Sequence, residues 1–481
     1  MIEKIIEKAK SQNKIVYIYA HKFPDGDAIN SSCAVVEYLK SHGIKSKYVV
    51  TRDIKQDNSV IPATKFVEKN SISIILDTHA VEYVENRFFT YSKPEDIYVI
   101  DHHQKANDTK GIEDELNIPS ENVIRDSNSS STCEILVNEF DREKVSPNIA
   151  NMLTSGLLSD TGKLRFLKSD TLLNLSKLLE IGADYEEISK SSNRKSYLSN
   201  EVGLAKILLS TKKFDIGDTF GIMAIVNNQQ ANSYIKSHGL RNIQKKIFKM
   251  SDIENCSFNC IIAENFPGQY EVEFRSNTVY GDFNVFDLAK ELGGGGHPYA
   301  SGCTIKSKNP IEDTLVETIQ SKYTSYPPTT TPILSNSDLE LSKILDSTDR
   351  LTKNVSTEIL SRVDELVKNG ANYEYIFKKY KTFERFMLEN EILSKVPEDK
   401  LFEPMPSLNI NLSSQDLSTL MQKYNTSERD ILDIISVFSN ISINSASISL
   451  SNGKKSYIDK DGNISFSDEV IKNNDKEDVS L

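Results

Sequence analysis

The first part of the chain alternates between two hydrophobic periods. KIVYIYA (14–20), SISIILD (71–77) and DIYVID (96–101) are short, nearly unbroken apolar runs rich in β-branched and aromatic residues. Runs of that length and content predict strands buried on both faces, and IKSKYVV (44–50) predicts a further one. Between them, SSCAVVEYLKSHG (31–43) predicts a helix that stops at Gly43, and SPNIANMLTSGLLSD (146–160) predicts another. The opening MIEKIIEKAK is an amphipathic helix with acids among its lysines. Such alternation implies a mostly parallel sheet covered by helices, and these sheets bind ligands outside the carboxyl ends of their strands.

A helical connector spans 169–210. Beyond it FGIMAIV (220–226), SFNCIIAE (257–264) and QYEVEFRS (269–276) alternate with helical stretches and predict a second, smaller α/β domain. YTSYPPTTTP (323–332) reads as a linker, because paired prolines neither continue a helix nor join a central strand. The expected fold class is α/β, organised as residues 1–182, 183–325 and 326–481, the last an α+β accessory region with an acidic tail. Within it, DKDGNISFSDE (459–469) has the look of a calcium loop, but Tyr457 falls at the first ligand position, so a hairpin is predicted instead. The accessory region also echoes what precedes it. LLSDTGKLRFLKSDTLL (157–173) aligns without gaps with ILDSTDRLTKNVSTEIL (344–360), and after one inserted residue EIGADYEEI (180–188) meets KNGANYEYI (368–376). A decayed partial duplication of the connector and second domain would explain this, and so would chance similarity of helix–turn–helix stretches. Ser347 stands opposite Asp160, so the region is read as non-catalytic.

Composition narrows the classes. Hydrophobic residues at 38% and charged residues at 26% describe a globular chain. No apolar run is long enough to span a membrane, and the start lacks the core of a signal peptide, so a cytoplasmic protein is expected. Of Cys33, Cys133, Cys256, Cys260 and Cys303, only Cys256 and Cys260 lie close in sequence, and no second pair completes a zinc site. A net charge of −12 argues against a long, sequence-independent grip on duplex DNA. The short basic run RNIQKKIFK (241–249) reads as a solvated helix face. A short phosphorylated substrate held by a few local cations stays compatible.

Four polar clusters are predicted at the sheet's edge. HKFPDGDAIN (21–30) supplies His21, Asp25 and Asp27, and LDTHA supplies Asp77. VIDHH supplies Asp101, His102 and His103, and LLSDTG supplies Asp160 at a helix end. Any one of them alone is ordinary turn chemistry. Together they are harder to explain, since two carboxylates about 4 Å apart repel by about 4 kcal/mol at an effective dielectric near 20. Two divalent ions bridged by one carboxylate would cancel four such charges and leave imidazoles as neutral ligands, the arrangement used for phosphoester displacement. Mixed carboxylate and imidazole donors suit manganese, with magnesium, iron or cobalt as substitutes.

The set HKFPDGD, ILDTH, IDHHQKAND and LLSDTGKLRF, in this order, resembles the DHH phosphoesterase superfamily, and AKELGGGGHPYASGCTI (289–305) resembles the Gly-Gly-Gly-His signature of the DHH-associated domain. The architecture is similar to bacterial oligoribonucleases, or nanoRNases, which also act on small nucleotides such as 3′-phosphoadenosine 5′-phosphate or linear dinucleotides. The resemblance implies that His21, Asp25 and Asp77 hold one ion and that Asp27, Asp77, His102 and Asp160 hold the second. It implies that Asp101 orients the histidine pair and that His103 meets the scissile phosphate as hydrogen-bond donor or general acid. Arg275, Gly294, Gly295, Gly296 and His297 are implied to bind substrate. In physical terms, a guanidinium forks onto a phosphate, and successive amides can cup an anion. Asn30, at a predicted helix start where it could act as cap, Ser301 and the segment after Asp160 depart from the family pattern without removing a ligand.

The expected activity is a manganese-dependent, two-ion phosphodiesterase releasing mononucleotides from short oligonucleotides. Rivals are hydrolysis of cyclic dinucleotides, dephosphorylation of 3′-phosphoadenosine 5′-phosphate, single-strand exonuclease action of the RecJ type and, in a different class, a non-catalytic nucleotide- or RNA-binding module. A homodimer is among the oligomeric states open to the chain.

Overall fold

The computed structural model describes residues 1–56, 59–78, 80–85, 88–103, 111–192, 197–226, 250, 253–277, 279–281, 283–323, 334–378, 381–401 and 403–468. It forms two compact units, Met1–Asn193 with Leu334–Lys378, and Arg194–Ile333 with Lys379–Leu481. The residues past 333 thus divide between the two. The predicted linker after Tyr323, the basic run at 241–249 and the acidic tail lie outside the described residues.

In the first unit, α1 (Ile2–Ser11) precedes β1 (Val16–Tyr19), α2 (Gly26–Ser41) and β2 (Ser46–Tyr48). A small hairpin, β3 (Ile54–Gln56) and β4 (Ser59–Ile61), leads to β5 (Ile72–Leu76), β6 (Ile97–Asp101), α3 (Ile112–Leu116) and β7 (Val123–Arg125). Then follow α4 (Thr132–Glu139), α5 (Pro147–Asp160), α6 (Thr171–Ile181) and α7 (Tyr185–Ser192). The main sheet runs β2-β1-β5-β6-β7 with every pairing parallel. Alternate residues of each strand enter opposite cores. Val16, Ile18, Ile72 and Ile74 meet α1, α2, α4 and α5, whereas Tyr17, Tyr19, Ile75 and Val99 pack with Phe89 and Ile112 on the other face. This is why the strands read as unbroken apolar runs. Within this sheet β7, three residues long, escaped the sequence reading, as did the separate β3–β4 hairpin.

Strand order reverses beside β1, since β2 lies to one side and β5 to the other. A parallel sheet opens its ligand crevice at such a point, at the carboxyl ends of the strands. His21 follows β1 and Asp77 follows β5, so both leave at this crevice.

One local expectation is corrected. The helix after β1 starts at Gly26, not near Ser31, and Asp25 is its cap, with Oδ1 accepting from the amides of Asp27 and Ala28 at 3.1 Å each. Asn30 is therefore inside the helix, where its amide donates to Gly26 O at 2.8 Å. The carboxylate of Pro-Asp-Gly-Asp caps the helix that the asparagine was expected to start.

In the second unit, α8 (Leu198–Leu208) leads into β8 (Lys212–Ile216), β9 (Thr219–Val226), β10 (Cys256–Phe266) and β11 (Gln269–Ser276). They are followed by α9 (Val285–Glu291), β12 (Gly295–His297), β13 (Ala300–Lys306) and α10 (Glu312–Tyr323), and the sheet order is β12-β13-β11-β10-β9-β8. Next in the chain come α11 (Asn336–Ser347), α12 (Thr357–Lys368) and α13 (Tyr373–Phe377), which belong to the first unit. The second unit resumes with α14 (Phe383–Ser394), β14 (Ser407–Leu412), α15 (Ser414–Tyr424), α16 (Glu428–Asp433), β15 (Ser445–Leu450), β16 (Lys454–Asp459) and β17 (Ile464–Asp468). The last two strands form the predicted hairpin, and Asp459 accepts from the turn amides of Asp461 and Asn463 at 2.9 Å.

Close helix packing brings the ligand-bearing segments together. A Cβ on Gly156, in α5, would fall 2.2 Å from Cys133 Sγ and 3.0 Å from Asp27 Oδ1. Both neighbours are buried and cannot retreat. Gly156→Ala should therefore cost about 1–3 kcal/mol of stability, the range for overpacking a tight core. It should also weaken divalent-ion binding, which urea unfolding and a metal titration of the same variant would check.

Candidate metal centre

Three groups of donor atoms converge at the crevice: His21, Asp25 and Asp77; Asp27, Asp77, His102 and Asp160; and Asp77, His102 and His103. Within each, the donor atoms lie within 4.8 Å of one another, and Asp77 belongs to all three. His21 Nε2 is 3.9 Å from Asp25 Oδ1 and 3.6 Å from Asp77 Oδ2. His102 Nε2 is 3.4 Å from Asp77 Oδ1 and 3.2 Å from Asp160 Oδ2. All six residues predicted as metal ligands are therefore brought together.

Each side chain is aimed by backbone the sequence could not display. Asp77 sits at the end of β5 with a left-handed φ of 56°, a turn that aspartate tolerates, and it swings the carboxylate over the strand ends. Asp27 is fully buried at the start of α4, where its carboxylate accepts from the amides of Thr132 at 2.7 Å and Cys133 at 3.0 Å. The Thr132 hydroxyl donates to Asp77 Oδ1 at 3.2 Å. The first turn of α4 thus fixes two of the candidate ligands, and helix N-terminal amides favour negative charge. Ser131 caps the helix, and the two amides after it take a role that the sequence did not display.

Asp101 behaves differently from expectation. It is fully buried and contacts His103, with Oδ1 at 2.7 Å from Nδ1 and accepting the His103 amide at 3.2 Å. Its other oxygen takes the Arg125 guanidinium, which also reaches Glu113 at 2.9 Å. Asp101 thus orients the second histidine rather than the pair. His103 has the most exposed imidazole of the three at the crevice, at 44%. It lines a cavity of about 290 Å³ with His21, Asp25, Asp77, Asp160, Lys22, Phe23, Thr78 and Tyr83. Arg125, Lys22, Phe23 and Tyr83 were not singled out from sequence. Phe23 is 65% exposed beside these donor groups, and only its place within HKFPDGD could have marked it.

Electrostatics tests whether cations fit. Burial and the neighbouring Asp77 and Asp160 push the Asp27 carboxyl up, while burial, Asp25 and Asp77 push Asp160 up. Burial alone would raise Asp77 too, but the His102 and His21 imidazoles facing it hold it well below the usual carboxylate range. The histidines answer in kind. Against the effect of burial, Asp25 and Asp77 raise His21 to about 9, and Asp160 and Asp77 raise His102 to about 11. Excess negative charge in the cluster is thus offset by protons on the imidazoles. His102 Nε2 is buried and makes no well-formed hydrogen bond, although two carboxylates face it. A nitrogen so placed fits a metal ligand better than a hydrogen-bond donor.

The second-unit residues have a geometry of their own. Arg275, in β11, and His297, in β12, both stand opposite Ala300 of β13, so they occupy one rung of the sheet. The His297 side chain is outside the described residues. Arg275 Nη1 donates to Glu273 at 3.1 Å and to Phe274 O at 2.7 Å. The amides of Gly293 and Gly294 are engaged by carbonyls of Lys290 and Ala289, so those two do not cup an anion. Gly294 is needed for close approach, since a Cβ there would meet Gly302 O at 2.1 Å; Gly296 takes a φ of 139°; and Gly295 pairs with Gly302.

Residues 15–157 match the DHH family, N-terminal domain, and residues 223–324 match the DHHA1 domain. The chain belongs to the DHH phosphoesterase superfamily, in the branch that joins these two domains. Among its relatives is the probable bifunctional oligoribonuclease and PAP phosphatase NrnA of Streptococcus mutans, 24% identical over 337 residues that cover 65% of this chain and 96% of that protein. The bifunctional oligoribonuclease and PAP phosphatase NrnA of Mycoplasma pneumoniae is 26% identical, covering 64% of this chain and 93% of its own. Among solved structures, an exopolyphosphatase-related protein from Bacteroides fragilis is similar at 22% identity, 67% and 97% coverage and a TM-score of 0.49. No helix among the described residues is long and apolar enough to cross a membrane.

Protons and cations compete for one cluster, which sets a pH dependence. In the metal-free protein, raised His21 and His102 values stabilise the fold fully below their ordinary value of 6.5. That stabilisation is lost as pH rises through about 9 for His21 and about 11 for His102. The thermal midpoint of the metal-free protein should fall above neutral pH, and saturating divalent ion should flatten the fall. Metal titration should also release protons, read by calorimetry in buffers of differing ionisation enthalpy. A titration that releases none would contradict protonated imidazoles in the cluster.

Proposed function

We propose that this protein is a manganese-dependent, two-ion phosphodiesterase that hydrolyses short oligonucleotides, linear dinucleotides included, to mononucleotides. The observation that carries the reading is the shared carboxylate of Asp77, which joins one donor set containing His21 and Asp25 to another containing Asp27, His102 and Asp160. A mixed imidazole and carboxylate set suits manganese, with magnesium or cobalt as substitutes. The names of the two relatives support the substrate class. A purely binding module has no need for four carboxylates in one crevice.

Two divalent ions held there would supply an acidified water and neutralise charge on the phosphoryl oxygens. The chain's own residues do the rest. Asp27, anchored by the Thr132 and Cys133 amides, and Asp77, anchored by the Thr132 hydroxyl, keep the ligand oxygens from reorganising during reaction. Asp101 holds His103 through Nδ1, and Nε2 is the atom assigned to the substrate. The Asp101 hydrogen bond also raises the His103 value against the effect of burial, so that ring carries a proton to a phosphate oxygen or to the leaving group. Arg125 pairs with the buried Asp101 on the side away from His103. Arg275 and His297, on one rung, are assigned to a substrate phosphate, and Gly294 and Gly296 to the close turn that presents that rung.

Product analysis with manganese should show mononucleotides from dinucleotides and short RNA faster than products from cyclic dinucleotides, 3′-phosphoadenosine 5′-phosphate or long RNA. Turnover in excess chelator would refute the two-ion reading. Asp77→Ala should lower kcat/KM by roughly a hundred-fold or more and empty the site, as one side chain serves both ions. His103→Ala should lower kcat by roughly 10²–10⁴-fold while retaining metal. Metal analysis of both variants separates ligand from proton donor.

Arg275→Ala and His297→Ala should raise KM for dinucleotides and leave metal content unchanged. Unchanged kinetics on every nucleotide tested would remove this rung from substrate binding.

A further inference from the structure

The first unit contains two segments that repeat each other in fine detail. Helices α5 and α11 both end at a threonine whose hydroxyl donates to the carbonyl four residues back, Thr161 to Leu157 and Thr348 to Ile344, each at 2.8 Å. The same hydroxyls accept from amides three residues on, Leu164 at 3.0 Å and Leu351 at 3.1 Å. Each threonine is followed by three successive left-handed residues. Gly162, Lys163 and Leu164 have φ of 57°, 62° and 66°, and Asp349, Arg350 and Leu351 have 48°, 58° and 57°. Left-handed residues normally occur singly, so a shared run of three is a strong structural mark. Next, α6 and α12 are each followed by a left-handed glycine, Gly182 and Gly370, and Tyr185 and Tyr373 open α7 and α13.

The two segments also pair with each other. The Tyr185 hydroxyl donates to Leu351 O at 2.6 Å, and the Tyr373 hydroxyl donates to Leu164 O at 2.9 Å. Each buried tyrosine thus reaches the left-handed leucine of the other segment. Leu157, Leu172 and Leu175 share one core with Leu345, Leu360 and Val363. Reciprocal contact, in which the first element meets the second as the second meets the first, is the hallmark of a two-fold dimer interface. Chance similarity of two helical hairpins gives no reason for the exchange.

The second unit continues the pattern. Strands β9, β10, β11 and β13 pair parallel, antiparallel and antiparallel, and β14, β15, β16 and β17 do the same. Helices α8 and α14, which precede the two series, lie against each other. Leu198 and Val202 enter the core of β14–β16 with Leu388, and Phe386 returns into the core of β9 and β10.

We infer that residues 334–468 are a degenerate second copy of the segment from α5 to β13, and that they cover, within the same chain, the face on which a second chain would otherwise dock. The protein is then a monomer that carries its own dimer interface. The second copy keeps the packing residues and has lost the chemistry, with Ser347 where Asp160 ends α5. This inference is independent of the substrate proposed above.

Sedimentation of the full chain over a wide concentration range tests it. The wild-type protein should have the mass of one chain throughout. Leu360→Asp with Val363→Asp charges only the second copy's side of the seam, so the face carrying Leu172 and Leu175 is freed intact. That variant should dimerise with rising concentration while still binding manganese. Adding Leu172→Asp and Leu175→Asp to that variant, which spoils the original face as well, should abolish dimerisation. A wild-type dimer overturns the inference, as does a manganese-binding Leu360→Asp, Val363→Asp variant that stays monomeric. Should that variant lose its fold, the wild-type mass decides: one chain supports the inference and two refute it.

Discussion

Mutual repulsion among Asp25, Asp27, Asp77 and Asp160 is the constraint on which the crevice depends. Each pair a few ångströms apart costs several kcal/mol in a partly buried setting. The chain meets that cost locally with amides, hydroxyls and protonated imidazoles, and leaves the remainder for cations. The Thr132 and Cys133 amides hold Asp27, the Thr132 hydroxyl holds Asp77, and the Asp27 and Ala28 amides hold Asp25. His21 and His102 sit between the carboxylates as charge-balancing groups. A cluster so fixed is ready for metal without rearranging, which is the condition for electrostatic catalysis.

Topology puts the cluster where it is. Parallel pairing of β1 with β5, at the point where strand order reverses, sends His21 and Asp77 out at the same edge. Close packing of α5 at Gly156 brings its terminal Asp160 to that edge, and α4 turns its amides toward it. Sheet, helix contact and cap each contribute candidate ligands or their support.

Much of this was legible beforehand. The apolar runs marked where strands stop, and His21, Asp77 and Asp101 at those ends meet at the crevice, because a strand buried on both faces leaves only its end for polar groups. The sequence did not reveal which backbone groups would face those side chains. Asp25 proved to cap α2, and Asp101 was found on His103 and Arg125. Both contacts depend on main-chain direction over one or two residues, which periodicity does not encode. Nor could spacing show that the residues after 333 divide between the units, because a helix has the same apolar period whichever element it packs against.

The central claim is that Asp77 bridges two divalent ions. Anomalous diffraction at the manganese edge, from crystals of the full chain grown with manganese, tests it most directly. The account predicts two peaks roughly 3.5–4 Å apart, one contacting His21, Asp25 and Asp77 and the other Asp27, Asp77, His102 and Asp160. A single peak in a catalytically active crystal, or two peaks that do not share Asp77, would contradict it.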